Sequence, residues 1–267
     1  MAWSVLTWKI LRIFQNRFLS GKVCVETHHS SYTKTLGNIM ERKFHSAFTR
    51  QHIVNYINVT PYIYRYENQK WIDNFFETGE ILISSFKQYS KYEDNQLGDK
   101  SEGSSINFGM TENNKTIVSV TSVGSDFFCF CTSTQLSKNL FDTFKRDSVF
   151  RIKDPINFLM QVELALPKIS EVLFGNCIYL DKRSIVKNVA SLDLEEMKNP
   201  DGQSLSMDKM MNRAFDIGGF EQLFLKKLIH QYQNEYRLLW KTDNEVSDPI
   251  IIKCPEARKF CERVEIK

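Results

Sequence analysis

The spacing of apolar residues changes repeatedly between strand-like and helix-like along the chain. Short apolar runs predict strands over 62–66, 81–85, 116–123, 126–131, 148–152, 177–180, 184–189, 236–240, 250–253 and 263–266. Apolar residues at intervals of three and four predict helices over 41–57, 69–78, 136–144 and 220–231. Residues 155–166 fit either a helix or a helix that passes into a strand. Strands and helices interspersed in this order indicate an α+β fold.

Polar, glycine-containing stretches mark the predicted connections. Residues 90–115 are rich in Asp, Glu, Asn, Ser, Gly and Lys, so we expect a long exposed loop there. Residues 195–213 contain a Pro-Asp-Gly turn signal at 200–202 and are predicted to form a mobile segment. A Gly-Ser pair at 124–125 predicts a hairpin, and Gly79 is predicted to end the preceding helix.

The first 39 residues differ in composition from the rest of the chain. The first 25 contain four basic residues and no acidic residue, with apolar residues at roughly helical spacing. A transit peptide or a helix on a membrane surface has this composition, whereas Lys9 and Arg12 interrupt the ~20 apolar residues that a membrane span needs. Met40 followed by Glu41 reads equally as a natural start. We therefore expect residues 1–39 to be a leader or an upstream extension, and residues 40–267 to form a single domain.

Composition and charge indicate a globular protein but do not indicate what kind of partner it binds. With 267 residues and 42% hydrophobic content, it can bury a full core, to which twenty Phe, ten Tyr and four Trp contribute large packing areas. A formal charge of +3 permits a nucleic-acid partner but does not require one.

The cysteines predict neither a zinc site nor a disulfide framework. No two of them form a Cys-x-x-Cys with a second pair at zinc-finger spacing. Cys129 and Cys131 would share one face of a strand, as inert core cysteines often do. We interpret all six as reduced and structural, which favours a cytoplasmic protein, although an even number also suits an oxidised one.

Several catalytic motifs are absent from the sequence. It contains no G-x-S-x-G elbow, P-loop, G-x-G-x-x-G or H-E-x-x-H motif. The five histidines are scattered or lie in the first 39 residues, so no metal site is predicted. A metal-dependent nuclease is disfavoured for the same reason.

A carboxylate stands where a late polar segment runs into an apolar strand. Glu235 opens this strand, and a buried carboxylate needs a partner or a task. A carboxylate can stabilise the oxocarbenium ion that develops when the bond between nicotinamide and ribose breaks. Gln233, two residues earlier, would project from the same strand face and could orient an acceptor nucleophile. These two residues are the candidate catalytic pair.

A cation and a hydroxyl cluster precede this pair along the chain. Arg65 lies between two tyrosines on a predicted strand, and arginine is the best bidentate partner for a pyrophosphate. A strand-end hydroxyl cluster can hold a ribose or position the carboxylate. The candidate cofactor-binding residues are Arg65, Tyr64, Thr132, Ser133, Thr134 and Ser85, with Ser84 beside Ser85 in the rival hydroxyl cluster.

The order Arg, hydroxyl cluster, Gln-x-Glu resembles the cholera-toxin-like branch of ADP-ribosyltransferases over about residues 60–266. This resemblance implies a split antiparallel β-sandwich with surrounding helices around an NAD cleft, with Glu235 and Gln233 as catalytic residues and NAD as cofactor. The hydroxyl cluster departs from the family pattern by reading Thr-Ser-Thr, and Tyr89 or Tyr92 would serve as the donor-loop aromatic. Segments 62–68, 79–89, 128–134 and 233–240 also resemble bacterial proteins of unknown activity found near phage-defence genes.

These observations predict an NAD-dependent ADP-ribosyltransferase toxin or anti-phage effector. It would modify a macromolecular acceptor, whether protein, RNA or DNA, and a cognate antitoxin would be a further partner. The alternative is a non-catalytic module that binds a nucleotide or nucleic acid. Two structural interpretations compete with the catalytic ones: Glu235 and Arg65 could form an internal ion pair between strands, and the Thr-Ser-Thr cluster could cap a strand-end turn.

Overall fold

The computed structural model describes residues 41–44, 52–55, 60–90, 101–110, 116–188 and 197–265. Their strands are β1 Glu41–Phe44, β2 His52–Asn55, β3 Ile63–Glu67, β4 Glu80–Ser85, β5 Ser104–Met110, β6 Thr116–Ser122, β7 Phe127–Ser133, β8 Ser148–Ile152, β9 Ile169–Asn176, β10 Ile178–Leu180, β11 Ser184–Asn188, β12 Leu225–Lys227, β13 Glu235–Thr242, β14 Ile250–Lys253 and β15 Cys261–Arg263. Their α-helices are α1 Gln69–Thr78, α2 Lys138–Phe144, α3 Pro155–Ala165 and α4 Met207–Gly218. This mixture of helices with mostly antiparallel sheets confirms the predicted α+β class.

The largest sheet forks at one edge of β7. Along its other edge, β7 pairs with the whole of β13, and β13 in turn pairs with β9. On the forked edge, β4 pairs near the start of β7, where Ser84 is opposite Cys129, and β3 pairs at its end, where Tyr64 is opposite Ser133. One arm continues from β4 to β14, and the other continues from β3 to β8 and β15. A gap therefore opens between β3 and β4.

Helix α1 connects the two arms of the fork. Its buried residues Ile72 and Phe75 pack into the main core. Gly79 ends the helix, as predicted, with φ at 81° and its N–H donating to the carbonyl of Phe75 at 2.8 Å. A Cβ at this position would lie 2.5 Å from the Cα of Pro255, so glycine is required both for the turn and for the close packing of the 255–260 segment.

Strand β13 runs through the centre of the core. Leu238 and Trp240 belong to the main apolar cluster, and Leu239 belongs to a second cluster on the opposite side of the strand. The indole N–H of the fully buried Trp240 donates to the carbonyl of Leu159 at 3.2 Å. Because β13 is buried on both faces, its apolar residues are consecutive rather than alternating.

A smaller sheet of order β11-β5-β6 packs beside helix α4. Its fully buried residue Asn107 is hydrogen-bonded: the amide of Asn107 donates to Thr121 Oγ1 at 2.6 Å, and that hydroxyl donates to Gln222 Oε1 at 2.7 Å. This chain links the small sheet to the 220–224 turn that precedes β12.

Two predicted local structures, one at the start of the domain and one at residues 124–125, are wrong. Residues 41–44 and 52–55 are antiparallel strands with Glu41 opposite Asn55, in place of the helix predicted over 41–57. The β-branched pair Ile53 and Val54 favours a strand over the helical spacing that we read. The predicted hairpin at 124–125 does not form either, because β6 pairs with β5 and β7 pairs with β13.

Tertiary contacts override the sequence pattern at four further places. The predicted loop 90–115 contains the strand β5, which was missed because its many polar residues do not show the apolar pattern of a strand. The predicted mobile segment 195–213 contains the start of α4, and the predicted helix 220–231 is instead two 3₁₀ turns separated by β12. Strand β9 was not predicted at all. Residues 155–166 form helix α3, whose N-terminus is capped by Asp154 accepting from the N–H of Asn157 at 3.1 Å.

The predicted leader or extension, residues 1–39, lies outside the described residues. The five described cysteines are free thiols. Within the described ranges, no helix has the length and apolar character needed to cross a membrane.

Candidate functional site

A cleft of about 470 Å³ occupies the gap between the two arms of the fork. Its walls come from β3, α1, β4, β7 and the beginning of β13, so residues far apart in sequence meet there. The lining includes Arg65, Thr132, Gln233 and Glu235. The structure therefore brings the predicted arginine, one residue from each predicted hydroxyl cluster (Thr132 and Ser84) and the predicted Gln-x-Glu pair to a single concave surface.

The inner end of the cleft holds the carboxylate of Glu235. Its Oε1 lies 2.5 Å from Nε of Arg237, and its Oε2 forms an ion pair with Nζ of Lys226. The thiol of Cys177 donates to Oε1 at 3.6 Å, and the backbone N–H of Glu235 donates to the hydroxyl of Tyr179 at 2.8 Å. Burial raises the pKa of Cys177 well above its ordinary value, so Cys177 remains a neutral thiol donor.

Arg237 extends this network to a second carboxylate. Its two terminal nitrogens lie 3.0 Å and 2.9 Å from the oxygens of Glu102, a bidentate pair, and it also donates to the carbonyl of Leu223. We call Lys226, Glu235, Arg237 and Glu102 the inner ion cluster. All four residues are buried, and the cluster contains two positive and two negative charges.

The inner ion cluster fixes the protonation of Glu235. Burial by itself raises the pKa of this carboxyl, but the charges of Arg237 and Lys226 outweigh burial and hold the pKa well below its ordinary value of 4.5. Glu235 is therefore ionised at neutral pH. Such a carboxylate can stabilise a developing positive charge, but it is too weak a base to accept a proton near neutral pH.

Gln233 also contacts this cluster, but it does so from a 3₁₀ turn and not from the strand position that we predicted. It ends a 3₁₀ turn spanning Leu228–Gln233, and Asn234 then adopts a left-handed conformation with φ at 43° before β13 begins. The strand alternation that we assumed for Gln233 is therefore wrong. Nζ of Lys226 nevertheless donates to Gln233 Oε1 at 2.6 Å and also holds Glu235, so one ammonium joins the predicted catalytic pair.

The outer end of the cleft is built around Arg65. Its terminal nitrogens donate to the carbonyl of Cys131 at 2.7 Å and to Glu67 Oε2 at 2.9 Å, and its guanidinium carbon lies 4.6 Å from the centre of the Phe130 ring. Nε of Arg146 lies 3.0 Å from the other oxygen of Glu67. We call Arg65 and Arg146 the outer arginine pair. Burial raises the pKa of Glu67, but the two arginines and the backbone N–H of Asn68 together lower it by more.

The structure does not contain the ion pair between Glu235 and Arg65 that was the structural alternative. Arg65 pairs with Glu67, and Glu235 pairs with Lys226 and Arg237. The two residues belong to separate charge networks that line the same cleft.

The hydroxyl residues mainly connect β7 to the entry of β13. Thr132 lines the cleft while its hydroxyl donates to the carbonyl of Tyr236 at 2.8 Å. Ser133 donates to the carbonyl of Gln233 at 2.8 Å, and Thr134 donates to that of Asn234 at 3.3 Å. These bonds agree with the strand-end capping that was the structural alternative for this cluster.

The remaining predicted residues divide between the cleft and its surroundings. Tyr64, Ser84 and Tyr89 line it. Ser85, Ser133 and Thr134 are outside the lining, and the hydroxyl of Ser85 donates to the carbonyl of Ser247 at 3.1 Å. Tyr92 is not among the described residues.

Sequence reasoning missed most of the charged partners in the site. Arg237 and Glu67 could have been found, because each lies two residues from a predicted site residue on a strand and therefore faces the same way. Lys226 and Glu102 had no such signal, since Glu102 lies 135 residues from its partner Arg237. Among the described residues, no group of three His, Cys, Asp or Glu side chains is placed to hold a metal ion.

Comparison of the chain with protein-family models, with curated proteins and with solved structures finds no match.

Proposed function

We propose that this protein is an NAD-dependent ADP-ribosyltransferase that modifies a macromolecule. The observation that carries the proposal is the convergence of Arg65, Thr132 and Glu235 on one cleft, since all three must contact a single dinucleotide. The fork between β3 and β4 supports a split β-sandwich of the ADP-ribosyltransferase type. A role as a toxin or anti-phage effector, with a cytoplasmic location and a cognate antitoxin, belongs to the same proposal and is supported by the sequence resemblance.

The chemistry required of Glu235 fits its environment. In the reaction, the bond between the ribose C1′ and the nicotinamide nitrogen breaks, and the electron pair leaves with nicotinamide, which becomes neutral. Positive charge develops on the ribose, and an ionised carboxylate at the inner end of the cleft stabilises it. The acceptor nucleophile, on a protein or a nucleic acid, then bonds to C1′ and releases its proton to solvent water.

The experiment is a measurement of NAD consumption by wild type and by Glu235→Gln. The substitution keeps the shape of the side chain but removes its charge, so the rate should fall roughly 10²–10³-fold. Glu262→Gln is the matched control, because Glu262 is a half-exposed carboxylate paired with Arg151 and does not line the cleft. Near-ultraviolet circular dichroism establishes that both variants are folded. Equal rates for Glu235→Gln and wild type would refute the assignment.

A second function, a nucleotide-binding module without turnover, is favoured by one specific observation. Both oxygens of Glu235 already contact cations, Arg237 and Lys226, so much of its charge is compensated before any ligand arrives. Calorimetry separates the two functions: the module would bind NAD without releasing nicotinamide, whereas the enzyme would release nicotinamide on incubation.

A further inference from the structure

The two-stranded sheet of β10 and β12 lies beside the start of β13. Its strands are parallel, and Tyr179 on β10 is opposite Lys226 on β12. Both side chains contact Glu235. The backbone N–H of Glu235 donates to the hydroxyl of Tyr179 at 2.8 Å, and its carboxylate forms an ion pair with the ammonium of Lys226. This short sheet therefore brings one group from each of its strands to a single residue of the candidate site.

The residues at the start of β10 fix the backbone of Glu235. The N–H of Cys177 donates to the carbonyl of Glu235 at 2.8 Å, and the hydroxyl of Tyr179 accepts from its N–H. On the other edge of β13, Glu235 is paired with Ser133 of β7. The backbone of Glu235 is therefore held from both edges of its strand.

Lys226 connects the side chains of the candidate catalytic pair. Its Nζ donates to Oε1 of Gln233 at 2.6 Å and also contacts Oε2 of Glu235. Because an ammonium has donors and no acceptor, the atom of the Gln233 amide that it contacts is the oxygen, and the orientation of the amide is fixed. One group thus sets both the separation of the two side chains and the direction of the amide.

The surroundings of Lys226 keep it charged. Burial lowers the pKa of Lys226, but the nearby carboxylates of Glu235 and Glu102 contribute most to an opposite effect, and the pKa lies above its ordinary value of 10.5. Arg237 holds the other oxygen of Glu235, while its terminal nitrogens bind Glu102. Lys226 is therefore the cation of the inner ion cluster that links Glu235 to Gln233.

We propose that the sheet of β10 and β12 positions the candidate catalytic pair, with Lys226 orienting the side chains of Gln233 and Glu235 and Tyr179 holding the backbone of Glu235. Both are positioning residues. Tyr179 is outside the cleft lining, and the ammonium of Lys226 is engaged by the two side chains that it orients. This inference rests on the proposed function, because it requires a reaction in which both members of the pair act on one substrate.

The magnitude of the effect follows from the sensitivity of catalysis to position. Gln and Glu have long side chains, which gain conformational freedom when a partner is removed. A displacement of about 1 Å costs roughly 10²-fold in rate. Loss of the ammonium also leaves the charge of Glu235 less compensated, which by itself would increase the stabilisation of a ribose cation. The two effects change kcat in opposite directions, so the sign of the change identifies the role of Lys226.

The test is the steady-state rate of NAD consumption by the full chain and its variants. Lys226→Met removes both contacts of the ammonium, so kcat should fall roughly 10²-fold while KM stays unchanged. Lys226→Arg keeps a cation with several donors and should recover part of that loss. Tyr179→Phe removes the hydroxyl that accepts from Glu235, so kcat should fall about tenfold with the same KM.

Each substitution has a matched control. Lys227→Met changes an exposed lysine next to Lys226 that does not line the cleft. Tyr236→Phe removes a buried hydroxyl next to Glu235, for which the described part of the chain supplies no hydrogen-bond partner. Both controls should have the kcat and KM of wild type. Near-ultraviolet circular dichroism establishes that every variant is folded.

A double variant separates positioning from a loss of folded structure. If Lys226 acts through Glu235, then Lys226→Met added to Glu235→Gln should lower kcat little further. An effect of Lys226→Met that is as large in the Glu235→Gln background as in wild type would show that the lysine has only a structural role.

The outcome is separable from that of the proposed function. A kcat that is raised in Lys226→Met, or unchanged in both Lys226→Met and Tyr179→Phe, overturns the inference even where Glu235→Gln abolishes activity and supports the transferase. A wild type that consumes no NAD rejects the proposed function and the inference with it. If Lys226→Met does not fold, the comparison of Tyr179→Phe with Tyr236→Phe decides the result.

Discussion

At the inner end of the cleft, the side chains of Lys226, Glu235 and Arg237 are at most 8% exposed, whereas at the outer end the side chain of Arg146 is 31% exposed. The same residue types, arginine and glutamate, occur at both ends. The inner charges are equal in number and are enclosed by protein. At the outer end, Arg65 and Arg146 share the carboxylate of Glu67, and Arg146 is partly open to solvent.

This difference indicates different physical roles for the two ends. A buried network must be complete, because an unpaired charge in the core costs several kcal/mol. The inner ion cluster meets this condition and connects the small sheet, through Glu102, to β12 and β13. A partly exposed arginine that shares its carboxylate with another arginine contributes little to folding, so its environment is better suited to binding.

The largest expected effect is on stability, from Arg237→Met. The substitution keeps the bulk of the side chain but leaves Glu102 without its bidentate partner and Glu235 with Lys226 alone. We expect the free energy of unfolding to fall by about 3–5 kcal/mol, measured by urea denaturation. Arg263→Met, which removes an exposed arginine, is the control and should leave stability close to wild type. Similar losses in the two variants would contradict the contrast between buried and exposed arginines.

The next largest effect is expected on the decrease in the free energy of unfolding at acid pH. The pKa of Glu235 in the folded protein lies below the ordinary 4.5 of the unfolded chain, so its contribution is fully present above 4.5 and is lost as pH falls toward the folded pKa. Below pH 4.5, unfolding takes up a proton at this site, which adds a slope of about 1.4 kcal/mol per pH unit. Glu235→Gln should lack this contribution and show a shallower decline between pH 4.5 and 3. Parallel declines in urea denaturation would contradict it.

The smallest effect on folding is expected at the outer end. Arg146→Gln removes one partner of a partly exposed ion pair, while Arg65 continues to hold Glu67. The free energy of unfolding should therefore change by less than about 1 kcal/mol. Chemical denaturation beside wild type measures this difference. A loss as large as that of Arg237→Met would show that the outer pair is structural.

Local sequence signals predicted the parts of the fold whose causes are local. Helix α1 was predicted with its bounds, because apolar spacing and Gly79 specify it without reference to other elements. Strand β5 was not predicted, because its polar residue Asn107 is buried through hydrogen bonds to Ser105 and to Thr121 on the neighbouring strand β6. The helix predicted over 220–231 failed for a related reason: Lys226 is held in β12 by partners that helical spacing does not reveal.

In the candidate site, the sequence could predict only those residues whose type by itself suggests a chemical role. Arg65, Gln233 and Glu235 were found from their types and their positions beside strands, and the structure places all three on one cleft. Their partners were misassigned, because which charges meet depends on the fork of the sheet. Arg146 follows α2 and pairs with Glu67 on β3. This is a tertiary contact that no pattern in the sequence indicates.

The most direct measurement is the rate of nicotinamide release as a function of NAD concentration for wild type, Glu235→Gln and Arg146→Gln. The division of the cleft predicts that Glu235→Gln lowers kcat by roughly two orders of magnitude, because it removes charge needed in the transition state. It predicts that Arg146→Gln, which removes a cation from the cleft lining, raises KM about tenfold and leaves kcat nearly unchanged, because a weaker hold on the anionic cofactor affects the ground and transition states equally. A wild-type protein that releases no nicotinamide, or variants with unchanged kcat and KM, would contradict the account.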